Sequence, residues 1–207
     1  MTRIAKVPSN PPAELVREPR DVVVRRLPLW RIHTARGPYP SRWNALRTFG
    51  PLKTARFDPH PPPLGDHPGY GVAYTAFDIA TCAAEVFQAS RTIALTDEHD
   101  VTGWPPTRDL QLLDLTDTWA LRNGASNSLA SWKRSTCRAW SAAIRDSWPD
   151  LDGLVSRSTM TGREMVTLFD PSLTAFPAAP SFRRPLDHPA IQATMVRAAA
   201  ECGYRIA

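Results

Sequence analysis

GVAYTAFDIATCAAEVFQ, residues 71–88, reads as a strand passing directly into a helix. Gly71 to Ala76 forms the short strand. Asp78 then stands where a carboxylate can accept the free amides of a first helical turn. From Ile79 to about Ala89 the apolar residues Ile79, Cys82, Ala83, Val86 and Phe87 recur at spacings of three and four, the stripe of a helix that lies on a sheet.

Working outward, Val22 to Val24 and Leu29 to Thr34 read as strands, the second alternating through Trp30, Arg31, Ile32 and His33. Arg36 to Tyr70 is loop-like, with Pro, Gly, Asn and Asp throughout, and loops of that length are often functional. Downstream, Thr92 to Leu95 and Leu110 to Leu115 read as strands. Leu129 to Trp148 is predicted as a helix, because Trp132, Thr136, Trp140, Ile144 and Trp148 recur every four residues and Pro149 stops the run. Leu154 to Ser158 and Met165 to Phe169 read as strands around a Thr-Gly turn. A last helix begins near Asp187 and Pro189 and ends at Cys202, before a capping Gly203. The expected fold is α+β: one domain over residues 21–207 with a small mixed sheet, covering helices and long loops on one side. Met1 to Arg20 is polar and proline-rich and reads as a poorly ordered N-terminal arm.

Composition narrows the function. The 207 residues suit one well-cored domain, with 43% hydrophobic and 22% charged residues, as in ordinary soluble proteins. A net charge of +5 favours anionic partners, either nucleic acid or phosphate-bearing small molecules. No Lys/Arg run of five occurs, which argues against a polybasic nucleic-acid tail. No secretory signal is visible in the first twenty residues and no apolar run reaches the length of a membrane span. Cys82, Cys137 and Cys202 are odd in number and far apart, which argues against a disulfide framework and a cysteine zinc site; a reducing cytoplasm is the expected location. None of the five histidines stands in an HxH or HExxH pattern, so no metal is expected. P-loop and GxGxxG motifs are both missing, which excludes Walker NTPases and Rossmann dehydrogenases.

Single residues are ambiguous by pattern. Glu85 falls off the apolar stripe of its helix and reads as a solvated glutamate. Arg31, between Trp30 and Ile32, is either an edge-strand surface group or a buried anchor for an anion. Arg56, in TARFDPHPPP, has the same two readings. Ser158, in DGLVSRSTMTGREMVTLFD, lies at a strand end beside Arg157 and Arg163 with no GxSxG elbow. The tryptophan ladder of 132–148 reads as core packing rather than a base-stacking platform.

The order of these motifs carries more than any one of them. LWRIH comes first, then ARFDP, then GVAYTAFDIATCAAEVF, and finally DGLVSRS followed by LFD. Over roughly Leu29 to Asp170 this succession resembles the RES domain family, named for its Arg, Glu and Ser. The family's functional positions match Arg31, Arg56, Tyr74, Glu85 and Ser158. Two departures stand beside them: Ala55 where the family commonly has Gly, and Ser156 where it often has Tyr.

The resemblance implies a fold like that of ADP-ribosyltransferases and cleavage of NAD+ at the nicotinamide–ribose bond, with phosphate or water as acceptor and no further cofactor. It also implies service as the toxin of a toxin–antitoxin pair, with a partner carrying a helix-turn-helix region and a segment that plugs the site. Glu85, Arg31 and Ser158 would then be catalytic, and Arg31, Arg56, Tyr74 and Ser158 would bind NAD+ or phosphate. The chemistry suits one carboxylate, since nicotinamide leaves NAD+ as a neutral pyridine and needs no general acid. Three alternatives remain open: a mono-ADP-ribosyltransferase that modifies a protein, a non-enzymatic basic module that binds nucleic acid, and a catalytically silent member of the RES family.

Overall fold

The computed structural model describes residues 5–207. Its elements follow in the order β1 (Val22–Arg25), β2 (Leu29–Thr34), β3 (Phe49–Gly50), β4 (Gly65–Asp66), β5 (Val72–Ala76), α1 (Ile79–Val86), β6 (Thr92–Ile93), β7 (His99–Trp104) and β8 (Leu110–Asp114). Then come α2 (Trp119–Arg122), α3 (Arg134–Ser147), β9 (Gly153–Arg157), β10 (Glu164–Phe169), β11 (Phe182–Pro185), α4 (Pro189–Cys202) and β12 (Arg205–Ile206). Eight strands form one sheet in the order β1-β8-β9-β10-β5-β2-β7-β11, and β3–β4 and β12–β6 form two small ribbons. Within the large sheet β8 and β9 run parallel; the other neighbours are antiparallel. The chain is thus the single α+β domain with a mixed sheet that its pattern predicts.

The continuity of this sheet is weakest at its middle. β2 pairs with β7 along its whole length, from Leu29–Trp104 to Thr34–His99, but meets β5 only at Trp30–Ala76. At the other end of β5, Val72 is bridged by Arg47 of the long loop. Between these two points the sheet opens, and the loop after β2 crosses the opening.

Each covering helix forms for a local reason. α1 starts where Asp78 accepts the Thr81 amide at 2.8 Å, and it buries Cys82, Ala83 and Ala84. α4 packs beside it, burying Ile191, Met195, Ala198 and Ala199, and ends at Gly203 with φ +66°, a left-handed conformation natural to glycine. On the far side, α3 buries Thr136, Cys137, Trp140 and Ile144 against Trp119, Leu129 and Phe169.

Four sequence expectations are corrected. The helix predicted over 129–148 is a 3-10 turn at Leu129–Ser131 followed by α3 from Arg134, because Trp132 adopts an extended backbone between them. Its carbonyl is thereby free to accept Arg56. The interior strand β7, next to the sheet edge, is not predicted: HDVTGW carries Asp and Gly, both poor strand formers. The tertiary setting demands them. Asp100 is buried and accepts Arg183 Nε at 2.6 Å, while a Cβ on Gly103 would lie 2.5 Å from the Trp30 ring that covers it. The edge strand β11 was also missed, since Pro185 and two arginines obscure it.

The fourth concerns the arm. Residues 1–4 of it lie outside the described residues, but from residue 5 onward the chain is docked on α2 and α3. Val7 is buried in their core. Trp140 Nε1 donates to the Pro8 carbonyl at 3.1 Å and Trp119 Nε1 to the Val16 carbonyl at 2.9 Å. Asn123 Oδ1 accepts the Val16 amide at 2.8 Å. Buried indole N–H groups need acceptors, and the proline-rich segment supplies them as a strap.

Candidate active site

The opening between β2 and β5 is a cleft of about 1240 Å³, above the roughly 300–1,000 Å³ of drug-sized ligand pockets. β2 contributes Arg31 and His33, β5 contributes Tyr74, α1 contributes Glu85, and the long loop contributes Arg42 and Arg47. Three guanidiniums therefore face one carboxylate across a mostly apolar enclosure, an arrangement that favours an extended anionic ligand.

Glu85 sits in the last turn of α1, half-buried rather than solvated. Its Oε1 accepts the Ser158 hydroxyl at 2.6 Å. Oε2 is approached by Gln88 Nε2 only at 3.5 Å, which leaves that oxygen for the cleft. Ser158 itself is buried. Its Oγ accepts the amides of Met160 at 3.0 Å and Thr161 at 3.1 Å, so its one proton and both lone pairs are committed. In this structure Ser158 positions Glu85, fixing its carboxylate from behind, and is not itself among the residues that line the cleft. A Ser158→Ala variant is expected to stay folded while any reaction that uses the Glu85 carboxylate slows about 10-fold, since one charge-assisted hydrogen bond worth roughly 1.5–3 kcal/mol is lost. Turnover equal to wild type would show that the bond does not hold Glu85 in its working position.

Arg31 holds the loop above the cleft. Its Nη1 donates to the carbonyls of Ala45 at 2.9 Å, Trp43 at 3.2 Å and Arg42 at 3.4 Å. Burial, and then the charge of Arg47, push its pKa down to about 10, so it remains a cation at neutral pH. Arg31 is thus no edge-strand surface group: β2 lies inside the sheet between β5 and β7, and the guanidinium bonds the carbonyls of the loop.

Arg56 takes a different place. Its Nη1 is bonded to the Trp132 carbonyl and lies 3.9 Å from Cys137 Sγ, tying the long loop to the start of α3, and it does not line the cleft. The arginine of the long loop that does line the cleft beside Arg42 is Arg47, which donates to Asp58 at 2.5 Å. No pattern marked Arg47, because it lies in irregular chain and reaches the cleft through a lone bridge to Val72.

Tyr74 projects into the opening, and its hydroxyl donates to Asp58 at 2.8 Å. Burial and the Asp58 charge hold this phenol well above the usual tyrosine range. His33 is pushed down to about 4, first by burial and then by Arg31, so it is neutral near pH 7. Cys82 also lines the cleft, but burial raises its thiol to about 12 and it donates to the Trp30 carbonyl at 3.1 Å; a protonated thiol is no nucleophile. Among the described residues no group of three or more His, Cys, Asp or Glu is placed to hold a metal ion, and no helix is long and apolar enough to cross a membrane.

Fold and site together define a split-sheet α+β domain with one cationic cleft and one fixed carboxylate. The chain belongs to the RES domain family, whose model matches residues 28–187. Among solved structures it is similar to a chain of the crystal structure of the M. tuberculosis MbcT–MbcA toxin–antitoxin complex, at 17% identity and a TM-score of 0.57 over 84% of this chain and 91% of that one. No curated protein matches the sequence.

Proposed function

We propose that the chain cleaves NAD+ at the nicotinamide–ribose bond and acts as the toxin of a toxin–antitoxin pair. The observation that carries the chemistry is the Glu85–Ser158 hydrogen bond of 2.6 Å on the wall of a cleft that also displays Arg31 and Arg47. As the C–N bond breaks, its electron pair leaves with the nitrogen, the pyridinium becomes neutral nicotinamide, and positive charge develops on the ribose. The free Oε2 of Glu85 stabilises that charge or holds the ribose hydroxyls, an effect that grows in a water-poor enclosure. Arg31 and Arg47 would bind the pyrophosphate with forked donors, and Tyr74 would offer its ring to the nicotinamide. A phosphate oxygen or water then forms the new bond to the ribose carbon, with water's proton passing to solvent.

The toxin role and an antitoxin partner are supported by family membership and by the likeness to a chain from a toxin–antitoxin complex. Gathering of the cationic groups inside a cleft favours a small anion over nucleic acid. The test mixes purified protein with NAD+, with and without inorganic phosphate, and follows nicotinamide by chromatography. Release accelerated by phosphate is the expected result of phosphorolysis. Release indifferent to phosphate, with label from NAD+ staying on a small product, means hydrolysis. Label on a macromolecule would replace the proposal with protein ADP-ribosylation, and no release would refute it.

A further inference from the structure

Asp58 is a fully buried carboxylate directly behind the cleft wall. Its Oδ1 accepts Arg47 Nη2 at 2.5 Å and the Tyr74 hydroxyl at 2.8 Å. Its Oδ2 accepts the Leu52 amide at 2.8 Å. His60, also buried, completes the group: Nδ1 lies 3.7 Å from Asp58 Oδ2 and Nε2 is 3.2 Å from the Arg47 carbonyl. Burial lowers the pKa of His60, which leaves Arg47 as the cation that balances Asp58. Taking a carboxylate out of water is costly unless its partners are in place, so this arrangement holds its partners as firmly as they hold it. Two of those partners, Arg47 and Tyr74, are cleft residues on separate segments.

We propose that Asp58 is the positioning residue of the cleft, setting the Arg47 guanidinium for the pyrophosphate of a dinucleotide and turning Tyr74 into an aromatic wall. The second half follows from proton accounting. A phenol has one proton, and that of Tyr74 points at Asp58, so what remains for a ligand is the ring. The first half follows from geometry: Arg47 is held at Nη2 by the buried carboxylate and at Nη1 by the Phe49 carbonyl, which fixes the plane of the guanidinium and leaves the second hydrogen of each Nη for phosphate oxygens. The inference rests on the NAD+ reading of the cleft, yet it is measurable without turnover.

The experiment measures ADP binding by calorimetry, together with NAD+ kinetics, for wild type, Asp58→Asn, Arg47→Gln and the double variant. Asp58→Asn is expected to weaken ADP binding about 10-fold and to raise KM rather than lower kcat; a merely loosened fold would reduce the active fraction and so kcat. The double variant is expected to be no more than about threefold worse than the poorer single variant, because both remove one coupled unit. Additive losses, or ADP binding by Asp58→Asn equal to wild type, would overturn the proposal. If Asp58→Asn does not fold, Arg47→Lys gives the same comparison from the other partner, keeping the charge and losing the fork. A fivefold or greater loss of ADP affinity supports the proposal and an unchanged affinity overturns it. A wild type that binds ADP with this pattern but never releases nicotinamide would sink the enzymatic reading alone, and a wild type that binds no ADP would sink both.

Discussion

Glu85→Gln is expected to lower the turnover of NAD+ by a factor of about 100 to 1,000, with the fold intact. The substitution keeps shape and keeps an oxygen for the Ser158 hydroxyl, which now donates to Glu85 at 2.6 Å. In the proposed reaction, what disappears is the negative charge that faces the ribose as it becomes cationic. Preorganised electrostatic groups of this kind are worth roughly 3–4 kcal/mol at the transition state, and each factor of ten corresponds to about 1.4 kcal/mol. Because the charge matters most in the transition state, the loss belongs in kcat, while KM changes little. The measurement is initial nicotinamide release at saturating NAD+, with thermal unfolding alongside. A glutamine variant that turns over like wild type would remove Glu85 from the mechanism.

Arg31→Lys carries the second large effect: kcat/KM is expected to fall about 100-fold, or roughly 2.7 kcal/mol by the same conversion. Charge is conserved in this change, so a purely electrostatic role predicts little. The structure gives Arg31 a second task. Its Nη1 lies within bonding distance of the carbonyls of Arg42, Trp43 and Ala45, and it thereby secures the loop that closes the cleft. Lysine has no planar fork and cannot serve the loop with one nitrogen while presenting others to a phosphate. Limited proteolysis is the companion measurement, since residues 42–45 should become more susceptible once released. Kinetics within threefold of wild type, with unaltered proteolysis, would show that charge alone is what position 31 contributes.

Part of this cleft is legible in the sequence. Tyr74, Glu85 and Ser158 sit on or beside elements whose periodicity is local: a strand, a capped helix and a hairpin strand. Arg31 belongs to a strand of clear alternation, though pattern left it between surface and anchor. Arg56 and Arg47 mark the boundary. Both lie in the long irregular stretch between β2 and β5, where no period relates a residue to a face, so nothing local distinguishes the arginine that reaches the cleft from the one that ties the loop to α3. Asp58 carries no local signal for the same reason, and the hydrogen bond of Ser158 to Glu85 joins residues 73 positions apart.

By itself, then, the sequence determined the α+β class, the strand-to-helix unit at its centre, the C-terminal helix with its Gly203 cap, and three of the side chains that line the cleft, Arg31, Tyr74 and Glu85. These follow from interactions within a few positions of one another: alternation, helical spacing and caps. Only the tertiary structure decided that HDVTGW is an interior strand of the sheet, that the proline-rich start of the chain is a strap, and that Asp58 joins Arg47 to Tyr74. Each depends on a partner far away in the chain: Trp30 over Gly103, Trp119 and Trp140 against the carbonyls of Val16 and Pro8, and Tyr74 sixteen residues beyond Asp58. Burial of polar groups is satisfied wherever the fold brings a donor to an acceptor, and that meeting leaves no periodic trace in the order of residues.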